Sequence, residues 1–327
     1  MDVFGLAVAA GGDFLCAAAV DAAHELGLYA RLADGPATLA ELAAAADVVR
    51  GQRRLGALCD VLAATGALVR VTPGEARFAA PTSPPPRPVV PRAGWGLLAD
   101  VIRRDRPLAP EGGAIERRYQ LHLARAGAAA ARELAPLLAG PSLLDLGGGA
   151  GAYTAAFLAA HPGATATLVD VHDVLALAAV ELAAVRDRVH LVGGDARVAP
   201  VGAGHGAVLL SNLLHLHGPS GCAGLCAAAA RAVAPDGVVV VKDLRVDEDR
   251  GGPLAGLLFA LNMAIYTAEG DVHAPSRIRS WLEDAGLVVV EERRLAAAPD
   301  AIVLVARRPT AAGCFRRSAG SPGPDLA

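Results

Sequence analysis

The sequence predicts an α/β protein in which a helical N-terminal module precedes a mostly parallel seven-stranded sheet with a terminal antiparallel hairpin. Three observations carry this reading. From residue 142 on, the short apolar runs SLLDLG, TATLVD, VHLVGGD, HGAVLLSN and GVVVVKDL alternate with helical stretches, a rhythm that implies right-handed crossovers between parallel strands. The last two runs, LVVVEERRL and AIVLVARR, are separated only by AAAPD, too short for a crossover helix, so they form an antiparallel hairpin at the sheet's edge. The first 80 residues read as three helices and a β-hairpin, set apart from the rest by the proline-dense stretch PTSPPPRPVVPR.

The elements follow in order. Residues 14–32 (FLCAAAVDAAHELGLYARL) form the first predicted helix. Thr38, with Glu41 three residues on, opens the second through a capping box, and Leu39, Leu42, Ala43 and Ala46 share one face of it. The third runs through GQRRLGALCDVLAATGAL with Leu55, Leu58, Leu62 and Thr65 in line, and LVRVTPGEARFAA adds two β runs about a Pro-Gly turn. This order makes a winged helix over residues 1–80. Residues 81–92 are a linker and 93–139 a helical connector that includes YQLHLARAGAAAARELAPLL. Residues 140–308 hold the sheet, and the polar, Gly/Pro-rich residues 309–327 are predicted to be disordered.

Composition narrows the functional classes. Hydrophobic residues reach 54 % while aromatics are only 4 %, the balance of closely packed alanine-rich helices. A formal net charge of −3 offers nothing to nucleic acid or to an anionic membrane. Cys16, Cys59, Cys222, Cys226 and Cys314 are scattered and odd in number, which reads as reduced thiols in a cytoplasmic protein. The N-terminal MDVFGLAVAAGGD lacks the basic region of a signal peptide, and no uncharged apolar stretch has the length of a membrane span.

The segment LLDLGGGAGAY (143–153) places Asp145, Gly147, Gly149 and Gly151 directly after a strand. Glycines there permit positive φ and close approach of a ligand to the backbone. Such a turn also fits a nicotinamide site, but Asp145 would repel a dinucleotide pyrophosphate, whereas it can accept from the amino group of S-adenosylmethionine directly or through water. Asp170 ends the second strand and, as an acceptor, suits two ribose hydroxyls. Asp195, after the third strand, is placed to accept from an adenine amino group. Ala196 beside it and Ser211 at the end of the fourth strand complete the predicted cofactor set. Ligands of open α/β sheets bind at the carboxyl ends of strands, where these residues fall.

DLGGGAGAYTAAFLAAHPGATATLVDVHDVLALA resembles the cofactor motif of the class I small-molecule O-methyltransferases, the family of the caffeate, isoflavone and hydroxyindole enzymes. The family's "VDLPDV" is VDVHDV here, with His172 in place of proline. The resemblance covers roughly residues 14–308. It implies a Rossmann-like class I methyltransferase domain that binds S-adenosylmethionine, and a winged-helix domain that dimerises and closes over the partner's substrate. It also implies a general-base histidine after the fourth strand, matched by His215 in SNLLHLHGPS, and an acid that orients it, matched by Asp243 in VVVVKDL. A neutral imidazole (pKa about 6.5) can take the proton of a phenol (about 10) as attack begins, for roughly 10²–10⁴-fold. Two positions depart from the family. Its "DW" after the histidine is Leu216-His217, and its second glutamate falls at or near Val272, leaving open whether Asp271 or His273 stands in.

The helix predicted over 252–272 resembles the family's substrate-lining helix, with Phe259, Asn262, Met263 and Tyr266 on a common face; plain core packing fits them equally well. Tyr119 and His122, on the connector, are further candidates for substrate contact. The helix over 276–286, with Ile278, Trp281, Leu282 and Ala285 on one side and Gly286 as stop, reads as scaffold. His215-x-His217 is a poor metal pair, because alternate strand residues point apart and no third ligand is near, so no metal is expected.

Methyl transfer to the oxygen of a small molecule by a homodimer is therefore the leading expectation. Carbon methylation, or a non-methylating reaction on the same scaffold, stays open. A DNA-binding regulator using Arg50, Arg53 and Arg54 is weaker, since the rest of that helix has few side chains that read bases. A nicotinamide dehydrogenase is disfavoured by Asp145 and by the terminal hairpin.

Overall fold

The computed structural model describes residues 13–48, 51–72, 76–108 and 117–309. The start of the chain, Arg50, the centre of the Pro-Gly turn and the tail from 310 lie outside the described residues.

The first predicted helix is two: α1 (Asp13–Glu25) and α2 (Leu28–Ala33). Gly27 separates them at φ 70°, a left-handed conformation that a helix cannot carry through. β1 (Ala37–Thr38) leads into α3 (Leu39–Ala45), where Thr38 and Glu41 form the predicted reciprocal capping box. α4 (Arg53–Ala64) buries Leu55, Leu58 and Leu62, but Thr65 is exposed past its end, its hydroxyl donating back to the Val61 carbonyl. β2 (Val69–Arg70) and β3 (Arg77–Ala79) are the predicted hairpin strands. β1 joins β3 on its other side, so the wing is a three-stranded antiparallel sheet rather than a lone hairpin. A two-residue strand has too little alternation to be read from sequence.

Residues 80–93 carry no helix or strand, as their prolines dictate. They are held down by side chains, with Arg87 on Asp21 at 2.7 Å and Arg92 on Glu25 at 2.8 Å. A 3-10 turn (Gly94–Leu97), α5 (Leu98–Arg104) and α6 (Arg117–Leu134) follow.

The large sheet consists of β4 (Ser142–Leu146), β5 (Thr165–Asp170), β6 (Val189–Gly193), β7 (His205–Ser211), β8 (Val233–Leu244), β9 (Val288–Leu295) and β10 (Ala298–Arg307). Its order is β6-β5-β4-β7-β8-β10-β9. The first five strands are parallel, and β10 runs antiparallel between β8 and β9. Between them pack α7 (Ala152–Ala160), α8 (His172–Glu181), α9 (Pro219–Ala232), α10 (Leu254–Tyr266) and α11 (Pro275–Asp284). The central strands are apolar throughout because both faces are covered. In β8, Val238 and Val240 enter the core of Phe157 and Leu143, while Val239 and Val241 enter that of Trp281 and Leu282. The chain reverses its direction of winding between β4 and β7, which opens a crevice at their carboxyl ends.

The helix predicted over 252–272 stops at Tyr266. Thr267 ends it, its hydroxyl donating to the Met263 carbonyl at 2.6 Å and accepting the Gly270 N–H at 2.8 Å. The chain then turns under the sheet edge, where the Asp271 N–H donates to the His215 carbonyl. α10 itself packs with the N-terminal helices: Leu257, Leu261 and Ile265 share a core with Leu15, Leu58 and Trp95.

Candidate active site

β4 ends in Asp145 and Leu146, and the glycine turn begins at once. Gly147, Gly149 and Gly151 all have positive φ (70°, 59° and 88°), and Gly151 caps α7. The φ values explain why glycine recurs at every second position there. A Cβ built on Gly149 would make an ordinary contact with Gln120 Oε1 of α6, at 3.6 Å, so it is the positive φ and not crowding that calls for glycine there.

The three strand-end acids have different surroundings. Asp145 is 1 % exposed and accepts from the Thr154 hydroxyl at 2.7 Å. Burial pushes its carboxyl up to about 6, with Thr154 pulling the other way and Asp170 adding to the rise. Asp170 accepts the Gly149 N–H at 2.8 Å on one oxygen and the Val171 N–H at 2.8 Å on the other. Each of its oxygens keeps a further lone pair. Asp195 is exposed and held by Arg197, whose Nε donates to it at 2.9 Å, and this partner holds its carboxyl below the ordinary value. Ala196 beside it is half-buried. His172, at the departure from the family motif, lays its ring against Gly193, so close that a Cβ there would stand 2.2 Å from the ring.

His215 and Asp243 meet. His215 Nδ1 lies 2.6 Å from Asp243 Oδ1, and both residues are buried, at 7 % and 2 % exposure. Asp243 is further held by the N–H groups of His215 and Leu244. Burial pushes Asp243 up, but the His215 ring, its hydrogen bond and Lys242 outweigh it and keep the carboxyl below its ordinary range. An ionised Asp243 accepts Nδ1–H, so the Nε2 lone pair of His215 is the one left to take a proton. The Phe259 ring packs edge-on to His215, with centroids 4.8 Å apart at 86°. His215 sits in a 3-10 turn (Leu214–Leu216) rather than on the strand assumed in weighing a metal pair.

The other candidates are placed as follows. Asn262 is buried and accepts from Trp95 Nε1 at 3.3 Å, Met263 is buried, and Tyr266 is half-buried with its hydroxyl near Gly94. His122 is exposed on α6, and the side chain of Tyr119 lies outside the described residues. Neither possible substitute for the family's second glutamate offers a free acid to His215. Asp271 belongs to an ion-pair chain, Arg70–Asp60–Arg250–Asp271, with Asp60 held at 2.5 Å by both arginines and Asp271 at 3.2 Å by Arg250. His273 Nε2 faces the His217 carbonyl at 3.1 Å and the Cys222 thiol at 3.4 Å, and Val272 is core. Arg53 and Arg54, weighed above as phosphate contacts, instead bind the carbonyls of residues 267–270 and, for Arg54, Asp105.

Sequence reading missed Thr154, Gln120, Trp95 and Tyr153. Only Thr154 left a trace, as the lone aliphatic hydroxyl in the apolar run AYTAAFLAA. The Tyr153 hydroxyl and Ser211 Oγ are both buried and lie beside one another, with no other hydrogen-bond partner in the protein.

Residues 123–288, just over half of the chain, match the family model described as the O-methyltransferase domain. The chain belongs to this O-methyltransferase family. Among curated relatives of the family, it is similar to the 3-hydroxy-5-methyl-1-naphthoate 3-O-methyltransferase of Streptomyces sahachiroi, 31 % identical over 62 % of this chain and 63 % of that one. It is also 31 % identical to the acetylserotonin O-methyltransferase of Macaca mulatta, over 50 % of this chain and 47 % of that one. A third is the tetracenomycin polyketide synthesis 8-O-methyl transferase TcmO of Streptomyces glaucescens, 30 % identical over 51 % and 49 %. The matches thus span between about half and under two thirds of these relatives. The fold is that of an O-methyltransferase family 2 protein from Planctomyces limnophilus solved with apigenin, at TM-score 0.71 and 23 % identity over 94 % of this chain and 97 % of that one.

Proposed function

We propose that this chain transfers a methyl group from S-adenosylmethionine to a hydroxyl of a small phenolic or polyketide-like molecule. The observation that carries the reading is the buried His215–Asp243 pair at the carboxyl edge of the sheet, two residues past Leu213, which packs on Gly147 of the glycine turn. The cofactor, when bound, supplies an electrophilic methyl on a sulfonium. Asp145, Asp170 and Asp195, with the turn Gly147–Gly151 and with Ala196 and Ser211, are the residues that would hold it. The spare lone pairs of Asp170 fit a nucleoside with hydroxyls to donate.

His215 accepts the acceptor's proton on Nε2, and Asp243 fixes the tautomer and stabilises the imidazolium that results. Phe259 braces the ring edge-on, and Met263, Tyr266 and Asn262, the last with its carbonyl on Trp95, follow it along α10 as the proposed substrate wall. Tyr119 and His122 of α6 belong to the same proposed pocket. A single base with one orienting acid suffices here, because much of the rate of a methyl transfer comes from holding donor and acceptor in line. The acceptor class rests on the naphthoate and tetracenomycin enzymes named above.

The wider reading includes a homodimer built through the winged-helix domain (1–80), the linker 81–92, the pocket-lining connector 93–139, the catalytic domain 140–308, and a cytoplasmic location. Among the described residues no helix is long and apolar enough to cross a membrane. The test is mass spectrometry after incubation with S-adenosylmethionine and a panel of hydroxynaphthoates, flavonoids and polyketide phenols. A product 14 Da heavier (the mass of an added CH₂) whose new methyl is on oxygen supports the reading, and a carbon-bound methyl or no transfer across the panel overturns it.

A further inference from the structure

The chain from Thr267 to Ala274 carries neither helix nor strand, yet it stands directly against His215. The Asp271 N–H donates to the His215 carbonyl at 3.0 Å. Gly270 lies so close that a Cβ there would stand 2.5 Å from the same oxygen. His215 is thus held on two sides, by Asp243 of β8 and by this turn. The carbonyls of the turn have no ladder to pair with, so groups from elsewhere must meet them.

Those groups come from the N-terminal domain. Arg53, the first residue of α4, donates to the Gly270 carbonyl at 2.5 Å and to the Ala268 carbonyl at 3.0 Å, across 217 positions of sequence in the first case. Arg54 donates to the Thr267 carbonyl at 3.2 Å, while its Nε is held by Asp105 at 2.8 Å. From the same helix Asp60 holds Arg250, whose guanidinium spans both oxygens of Asp271 at 3.2 and 3.3 Å. Burial, and the charge of Arg54 beside it, pull Arg53 below its ordinary value, while Asp271, Asp105 and Glu269 act the other way. The planar fork of an arginine fixes two carbonyls at once, which the single ammonium of a lysine does not reproduce.

We infer that Arg53, with Arg54 and the Asp60–Arg250–Asp271 chain beside it, is a positioning residue for the base: the N-terminal domain pins the 267–271 turn, and the turn pins the backbone of His215. This rests on the reading of His215 as the base under Proposed function. A base carried on an irregular turn loses its line to the acceptor when the turn shifts, and a misplacement of about 1 Å can cost about 10²-fold in rate. The clamp makes the base answer to the seating of the N-terminal domain on the sheet domain, since Arg53 and Arg54 stand on one side of that boundary and the carbonyls they hold on the other.

The experiment is nuclear magnetic resonance of the full chain with isotope-labelled histidine, following solvent exchange of the His215 Nδ1–H that Asp243 accepts. Arg53→Ala is expected to speed that exchange about tenfold or more, the scale of one lost hydrogen bond to a charged group. Arg53→Lys, which keeps a cation without the fork, is expected to speed it about threefold. Arg188→Ala is the control: it removes a comparable arginine from the carbonyls of Leu158 and Pro162, and is expected to leave the His215 proton as in wild type. An unchanged rate in the Arg53 variants overturns the clamp, and so does an equal acceleration by Arg188→Ala, which any loss of stability would produce. If the wild type shows no Nδ1 proton held by Asp243, the base assignment fails and the clamp with it. A clear Nδ1 signal in a chain that transfers no methyl across the phenol panel overturns the proposed function and leaves the clamp standing. Thermal melts establish that each variant is folded, and Arg53→Lys, the smaller change, carries the test alone if Arg53→Ala does not fold.

Discussion

His215 Nδ1 stands 2.6 Å from Asp243 Oδ1, and the same carboxylate takes the His215 backbone N–H on its other oxygen at 3.2 Å. One acid thus fixes both the ring and the turn that carries it. Asp243→Asn presents an amide of similar shape that no longer requires Nδ1–H, so the base loses its tautomer. The expected loss in kcat is about 10²–10⁴-fold, with His215→Ala in the same range and the affinity for S-adenosylhomocysteine unchanged in both. Turnover of either variant at the wild-type rate near neutral pH removes the general-base role.

Asp145 leads to a pH prediction. Its folded-state value, about 6, lies above the unfolded value of about 3.9. As pH rises the unfolded chain therefore ionises first, and stability falls between about pH 4 and pH 6. The cost at neutral pH is on the order of 2–3 kcal/mol. Asp145→Asn keeps an acceptor for the Thr154 hydroxyl and removes the buried charge. It is expected to melt higher than wild type at pH 7 and equally at pH 4, while binding the cofactor more weakly. Melting curves that run parallel across this window contradict the assignment of a buried, destabilising carboxylate.

Asp170 joins the glycine turn to the end of β5 through the Gly149 N–H. Asp170→Ala removes that brace together with the proposed acceptor for ribose hydroxyls. Affinity for S-adenosylhomocysteine is expected to fall at least tenfold, on the scale of about 1.5–3 kcal/mol for hydrogen bonds to a charged group. Calorimetry checks it, and unchanged affinity rules out the ribose role.

Gly256 allows α10 to approach the strand end that carries Asp243. A Cβ there would stand 2.0 Å from the Arg245 carbonyl oxygen, a backbone atom that cannot rotate away. Gly256→Ala is expected to cost about 1–3 kcal/mol by overpacking and to shift α10, with Phe259, off His215. A lower melting temperature with reduced kcat is the expected pair of results. Normal stability with normal turnover shows that α10 is not the brace described here.

Much of the site was legible because its residues lie at strand ends that apolar patterning marks. Asp145, Asp170, Asp195 and the glycines were placed in this way, while the His215–Asp243 pair was implied by the family resemblance and is formed in the structure. Other features left no local trace. Tyr153 reads as one more aromatic in an apolar helix, and nothing in its neighbours announces that its hydroxyl is buried beside Ser211. Asn262 shares a helix face with Phe259, Met263 and Tyr266 that fits pocket lining and core packing equally, and only the fold shows its carbonyl accepting from Trp95, 167 positions away in the chain. Whether Asp271 or His273 stands in for the family's second glutamate is open in the sequence, and in the structure Arg250 holds Asp271.

The order of helices and strands, the crossover rhythm, the capping box at Thr38 and the glycine turn after β4 follow from the sequence by itself. Each depends on periodicity or backbone freedom within a few residues. Which carboxylates are free, which are held by arginines, and which hydroxyls are buried was decided only by the tertiary structure. These are matters of partnership and desolvation among groups distant in the chain, and a buried polar group is defined by what the whole fold places around it.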